Sequence, residues 1–186
     1  MRIGIDLDGV VIDTIKLMAE ELSKHLGIQI TTTDIIFHFN NFRKDAEDFI
    51  AKNLDYFYNS LDPIKGAVET INYLNKHHKV SIITARKIHA FDITEKWLIK
   101  NSINYSNLCL TNGSSKVKFC KQLGIDIIIE DSSPNALEIS SSGIPVILIT
   151  TEYNSNLKGN MITHCKDWKE IRNAIKTFEK KLLICK

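Results

Sequence analysis

Short aliphatic runs recur along the chain, and segments of helical spacing separate them. Ile3, Ile5 and Leu7 alternate as a short buried strand. KVSIIT (79–84), the run ending at Leu108–Leu110, DIIIE (126–130) and PVILIT (145–150) predict four more. Between them, Ile15, Met18, Leu22 and Leu26 mark one helix stripe, closed by Gly27. Ile64, Ala67, Ile71 and Leu74 mark a second, and Phe91, Thr94 and Leu98 a third. Asn112-Gly113 is a turn, Ser115 an N-cap and Gly124 a stop. Ser133 caps a further helix with Pro134 at its first position, and Gly143 ends it. Asp167 and Glu170 have capping-box spacing ahead of the stripe Trp168, Ile171, Ile175, Phe178 and Leu182. Strands alternating with helices predict an α/β fold: a Rossmann-like parallel sheet of about five strands with helices on both faces.

One stretch breaks the alternation. Residues from Ile35 to Tyr58 hold seven of the fifteen aromatic rings: Phe37, Phe39, Phe42, Phe49, Tyr56, Phe57 and Tyr58. This predicts a small helical lobe, spanning 15–62, inserted after the first strand into a core made of 1–14 and 63–186. Most of these rings are expected to pack the lobe's own interior.

Composition narrows the class. Hydrophobic residues make up 44% and charged residues 25%, as in an ordinary globular protein. A net charge of +2 argues against a nucleic-acid polymer or a membrane surface as partner. No apolar run approaches the ~18 residues of a membrane span. Asp6 and Asp8 interrupt any secretory pattern at the N-terminus. Cys109, Cys120, Cys165 and Cys185 lack C-x-x-C spacing, which fits reduced thiols in a cytoplasmic protein. His77 and His78 lie at a polar helix end and read as solvated.

The chemistry gathers at strand ends. Asp6 and Asp8 close the first strand, and two residues apart in an extended chain lie about 6–7 Å apart on one side. A lone D-x-D also serves simply to solvate a turn. Thr84-Ala85-Arg86 ends the second strand, Lys116 opens the helix after the third, and Glu130-Asp131 ends the fourth. In open α/β sheets ligands bind beyond the carboxyl ends of the strands, so these groups share one rim. Crowded carboxylates repel unless a cation is present, and an oxygen-only set suits Mg²⁺ with a phosphate. A carboxylate can attack phosphorus, and a second can protonate the leaving oxygen. Thr84 and Lys116 can bind phosphoryl oxygens. A cation in the first helical turn opposes the macrodipole, which marks Lys116 as placed by function, with Lys118 as its competitor.

DLDGV (Asp6 to Val10), Thr84, Lys116 and Glu130-Asp131, in that order, resemble the four motifs of the haloacid dehalogenase superfamily of phosphohydrolases. IITARK and IIIEDSSPNALEIS with GIPVIL resemble the 5'(3')-deoxyribonucleotidase-like family. The resemblance implies Asp6 as nucleophile and Asp8 as acid/base. It implies Mg²⁺ held by Asp6, the Asp8 backbone carbonyl and Asp131, and a phosphoryl group held by Thr84 and Lys116. Glu130 replaces an aspartate at the start of the fourth motif, so its own reach to the metal stays open. The expected activity is hydrolysis of a nucleoside monophosphate. Ala85 and Arg86 are expected at the substrate, with at least one of Phe37, Phe39 and Phe42 on the base. A sugar or other metabolite phosphate is the alternative substrate. A receiver-type phospho-switch is the alternative of another class, although it would need neither Asp8 nor the inserted lobe.

Overall fold

The computed structural model describes residues 1–37 and 43–184, with side chains over 1–36 and 44–182. Six strands form one parallel sheet: β1 (Arg2–Ile5), β2 (Lys79–Thr84), β3 (Asn107–Leu110), β4 (Ile127–Glu130), β5 (Val146–Ile149) and β6 (Ile162–Cys165). Their spatial order is β3-β2-β1-β4-β5-β6. Five of them follow the aliphatic runs. The sixth is a finding beyond the expected five. It is a short edge strand, ITHC, with Thr163 and His164 exposed, so no apolar run announces it.

Strand parity sorts the core into two layers. Ile3, Ile5, Ile82, Ile127, Ile129 and Ile147 pack with Ala67, Ile71, Trp97, Trp168 and Ile175. These come from α5 (Ala67–His77), α6 (Phe91–Lys100) and α9 (Trp168–Ile184). Ile83, Ile128, Val146 and Leu148 face the other way, onto Cys120, Ala136 and Ile139 of α7 (Lys116–Leu123) and α8 (Ser133–Ser141). Both sheet faces are thus covered, as near-continuous aliphatic strands require.

The inserted stretch is helical: α1 (Thr14–Leu26), α2 (Thr32–Phe37), α3 (Arg43–Lys52) and α4 (Leu54–Asn59). Leu22, Ile30 and Ala46 close one small core here. Leu17, Phe57 and Tyr58 form another against Ala90 and Leu110, at the C-terminal rim of the sheet. Phe49 stacks on His25 at 4.2 Å and meets Phe57 edge-on at 6.0 Å, so these rings fill the lobe as expected.

The segment after β1 is pinned from several sides. The Leu7 carbonyl accepts the amides of Val10, Val11 and Ile12, and Gly9 N–H returns to the Ile12 carbonyl at 2.8 Å. Trp168, the first residue of α9, donates its indole N–H to the Val10 carbonyl at 3.1 Å. Asp167 accepts the Glu170 amide at 2.8 Å as the predicted capping box requires, while the Glu170 carboxylate reaches back to the amide of Lys166, also at 2.8 Å, in place of that of Asp167. A helix at the far end of the sequence therefore fixes the first loop. Trp168→Phe removes that bond and part of the ring from a fully buried site, and should cost about 1–3 kcal/mol in urea unfolding. An unchanged midpoint would show that the indole does not hold the loop.

Candidate active site

The sheet reverses direction at β1, which has β2 on one side and β4 on the other. Such a switch point opens a crevice at the carboxyl ends. Asp6 follows β1 with the parity of Gly4, and Glu130 follows Ile128. Both therefore project toward the α7–α8 layer. Lys116, the first residue of α7, reaches into the same space. Its Nζ lies 2.7 Å from Asp6 Oδ2 and 2.8 Å from Glu130 Oε1. Lys116 is 1% exposed, whereas Lys118 points to solvent. The cation that opposes the helix dipole is thus the one turned inward.

Asp131 completes a cluster. One carboxylate oxygen each from Asp6, Glu130 and Asp131 lie within 4.8 Å of one another, the one such group among the described residues. Gly9 makes room for it. Its φ is +81°, and a Cβ there would overlap the Asp131 carboxylate. Glycine is required for both reasons.

One lysine faces three buried carboxyls, and the imbalance shows in their acidity. Burial lifts Asp6 well above the usual carboxyl range, and the charge of Glu130 adds to it against the pull of Lys116. Burial and Glu130 likewise raise Asp131 to about 7. Glu130 goes the other way. Burial opposes its charge, but Lys116 and its hydrogen bonds outweigh that and bring it to about 2. Burial also opposes the charge on Lys116, yet Asp6 and Glu130 raise its pKa. Oxygen donors, excess negative charge and burial fit a hard divalent cation. Glu130 is the least available donor. Its Oε1 takes Lys116 and, at 2.6 Å, the Asn135 amide; its Oε2 takes the Asp131 N–H at 2.9 Å. Both Glu130 oxygens are thus engaged by Lys116, Asn135 and the Asp131 backbone.

Asp8 stands apart from that cluster. Arg86 grips it with both arms, Nε to Oδ2 at 2.8 Å and a terminal nitrogen to Oδ1 at 2.7 Å. Thr14 adds a bond to Oδ1 at 2.6 Å, and Thr84 approaches Oδ2 at 3.4 Å. Burial pushes the Asp8 pKa up, but Arg86 and the hydrogen bonds prevail and it lies below the ordinary value. The two aspartates that look equivalent in sequence are therefore held by different cations. Ala85 is exposed, and its carbonyl accepts the Gly113 N–H at 3.0 Å, tying the β2 loop to the Asn112-Gly113 turn. Phe39 and Phe42 lie outside the described residues, as does the side chain of Phe37.

Three contributors were missed. Tyr153 donates its hydroxyl to Asp131 Oδ2. Asn154, buried, donates to the Asp131 and Ile149 carbonyls at 2.7 Å each. Asn135 steadies Glu130 from the first turn of α8. The rule that sites gather after strand ends would have flagged Tyr153 and Asn154, since they follow β5. A cavity of about 500 Å³ lies beside them, lined by Gly9, Asp13, Lys16 and Tyr153 among others.

Comparison with known proteins agrees with this geometry. The fold resembles a haloacid dehalogenase-like hydrolase of Streptococcus pneumoniae, with TM-score 0.68 and 16% identity over 94% of this chain and 97% of that one. It also resembles the hydrolase YfnB of Bacillus subtilis, a structure with bound magnesium, with TM-score 0.64 and 14% identity over 94% and 98%. These likenesses show the fold, one that the chain shares with both structures. The family model described as "5' nucleotidase, deoxy (Pyrimidine), cytosolic type C protein" matches residues 1–182, and the chain belongs to that family. It is thus a hydrolase of phosphoric monoesters. "Putative nucleotidase YqfW" of Bacillus subtilis is 30% identical over 178 residues, 91% of each chain. "Putative 5'(3')-deoxyribonucleotidase" of Chlorobaculum tepidum is 27% identical over 194 residues, 95% of this chain and 90% of that one. No described helix is long and apolar enough to cross a membrane.

The raised pKa values of Asp6 and Asp131 predict a pH-dependent response to cations. Folded Asp131 titrates near 7, above its unfolded value, so the metal-free fold loses stability as pH rises through that interval. A cation held by this cluster would bind its deprotonated form. The gain in Tm on adding millimolar MgCl₂ should therefore be larger at about pH 8 than at about pH 5.5. Comparing with and without Mg²⁺ at each pH cancels remote groups such as His78. An equal gain at both would place cation binding elsewhere.

Proposed function

We propose that the protein is a Mg²⁺-dependent phosphomonoesterase that releases phosphate from nucleoside monophosphates through a phosphorylated Asp6. The observation that carries this reading is the buried cluster of Asp6, Glu130 and Asp131 bridged by Lys116 at the sheet's switch point. Membership of a nucleotidase family and the names of the two relatives support the substrate class.

In this reading Asp6, Asp131 and the Asp8 main-chain carbonyl would hold Mg²⁺, which would supply positive charge to a bound phosphoryl group. Lys116 neutralises the approach of a dianionic ester to a carboxylate and, with Thr84, binds the phosphoryl group. Asp6 attacks phosphorus as the ester P–O bond breaks. Asp8 is the acid/base in this reading: Arg86 holds it ionised in the described arrangement, so it takes up a proton on leaving that fork, gives it to the departing oxygen, and then takes one from the water that releases phosphate from Asp6. Residues 15–62 form a cap over the core of 1–14 and 63–186, and exclude bulk water while the ester reacts. The packing of Leu17, Phe57 and Tyr58 on Ala90 and Leu110 at the rim supports this role.

Asp6→Asn should fold with unchanged circular dichroism and lose essentially all turnover in a screen of nucleoside monophosphates, sugar phosphates and an aryl phosphate. Chelation should silence the wild-type protein in the same screen. Activity in chelator, or in Asp6→Asn, would overturn the mechanism. Much faster turnover of sugar phosphates than of any nucleotide would overturn the substrate assignment alone.

Phe37, Phe39 and Phe42 remain the candidates for stacking on the base, a contact worth roughly 1–3 kcal/mol. Changing the responsible ring to Leu should lower kcat/KM for a nucleoside monophosphate about tenfold while sparing a small aryl phosphate. Equal losses on both substrates for all three variants would make these rings packing residues.

A further inference from the structure

The three clustered carboxylates reach the rim with oxygens already engaged. Asp6 holds Lys116 on Oδ2 at 2.7 Å and accepts the Leu7 N–H on Oδ1 at 2.8 Å. Glu130 has both oxygens in use. Asp131 accepts the Tyr153 hydroxyl on Oδ2. Of these partners Tyr153 carries no charge and comes from a loop that the mechanism above does not use.

That loop follows β5 and is braced on its own account. Thr151 N–H donates to Asn154 Oδ1 at 2.8 Å, and Leu157 N–H to the Asn154 carbonyl at 3.0 Å. Asn154, 2% exposed, donates through Nδ2 to the Asp131 and Ile149 carbonyls at 2.7 Å each. His164 of β6 bonds the Leu157 carbonyl through Nε2 at 2.7 Å and Thr150 Oγ1 through Nδ1 at 3.2 Å. Tyr153 is therefore presented to Asp131 by a loop tied to both β5 and β6.

A carboxylate with one oxygen committed to a hydroxyl offers a metal its other oxygen. Divalent cations differ in what they make of that. Mg²⁺ demands a near-octahedral shell at about 2.0–2.1 Å and is served by single carboxylate oxygens and waters. Ca²⁺ takes about 6–8 oxygens at about 2.3–2.6 Å and readily accepts a carboxylate through both. Occupying Oδ2 thus withholds a bond that Ca²⁺ can use and Mg²⁺ does not need.

We propose that Tyr153 sets the cation preference of the cluster: its hydroxyl holds Asp131 Oδ2, leaves Oδ1 as the oxygen Asp131 can offer, and so favours Mg²⁺ over Ca²⁺. The inference rests on the reading of the cluster as a Mg²⁺ site. Tyr153→Phe removes the hydroxyl while keeping the ring and the charge of the cluster. A looser loop, or an altered acidity of Asp131, changes the affinity for both cations alike and cancels in their ratio.

The test is calorimetric titration of the metal-free full chain with MgCl₂ and with CaCl₂ at one fixed pH. In Tyr153→Phe the ratio of the Ca²⁺ Kd to the Mg²⁺ Kd should fall at least about tenfold, within the range that partners of metal ligands contribute. His164→Ala, at an exposed position, loosens the brace without touching the buried cluster. It should lower the ratio in the same direction, and it decides the matter if Tyr153→Phe does not fold. An unchanged ratio, even with both affinities weakened, overturns the selectivity role and leaves the Mg²⁺ site standing. Wild-type protein that binds neither cation, or Asp131→Asn that binds both as well as wild type does, removes the metal site and this inference with it.

Discussion

Lys116 sits between Asp6 and Glu130 with almost no water to screen it. Removing one member of such a buried pair typically costs about 3–5 kcal/mol, because the other charge is left stranded. The arrangement depends on the sheet. Asp6 and Glu130 meet Lys116 only because β1 and β4 are neighbours in register, Gly4 opposite Ile128, and because both carboxylates fall on the α7 side. A slip of one residue in either strand would turn its carboxylate to the opposite layer, among Ile71, Trp97 and Trp168. The same network that makes the rim reactive therefore also specifies the register of the strands that build it.

The charge is left unbalanced on purpose. Three buried carboxyls against one lysine keep Asp6 and Asp131 raised, while Glu130 stays ionised beside Lys116. The remaining donors divide the work. Glu130, with both oxygens engaged, steadies Lys116. Asp131, held by Tyr153 and by Asn154 at its backbone, lies against the chain at Gly9. Contacts of this outer kind orient ligands and tune their affinity.

Much of this was legible in the sequence, and the reason is physical. Buried parallel strands need aliphatic runs, so β1, β2, β4 and β5 announce themselves, and charged residues at the ends of such runs stand out. The Lys116 reading rested on a broken local rule, a cation in a first helical turn, and its burial against the exposed Lys118 follows the same logic. What escaped had no distinctive residue pattern, only, for Tyr153 and Asn154, a position after a strand end. β6 is polar because it lies at an edge. Tyr153 and Asn154 look like loop residues until the chain folds back on Asp131. The division between Asp6 and Asp8 was invisible because spacing along one strand says nothing about which distant cation each side chain meets. β1 ends at Ile5 and its ladder reaches one residue further, through the Asp6 amide on the Ile129 carbonyl, but the chain then turns, so the alternation assumed for Asp8 does not persist.

Arg86 illustrates how a local pattern and a tertiary contact differ. In sequence it follows Thr84 and Ala85 and looks like part of a phosphate-binding turn. In the fold its charge is spent on Asp8 and its face on Tyr58. Tyr58 in turn stood among seven rings in one stretch, where no periodicity separates it from Phe57, its fully buried neighbour. Successive residues on a helix point about 100° apart. Phe57 thus turns to Phe49 inside the lobe, while Tyr58 reaches the rim and the guanidinium. The aromatic stretch serves two ends at once: most of its described rings hold the lobe together, and one of them joins that lobe to Arg86 and, through it, to Asp8.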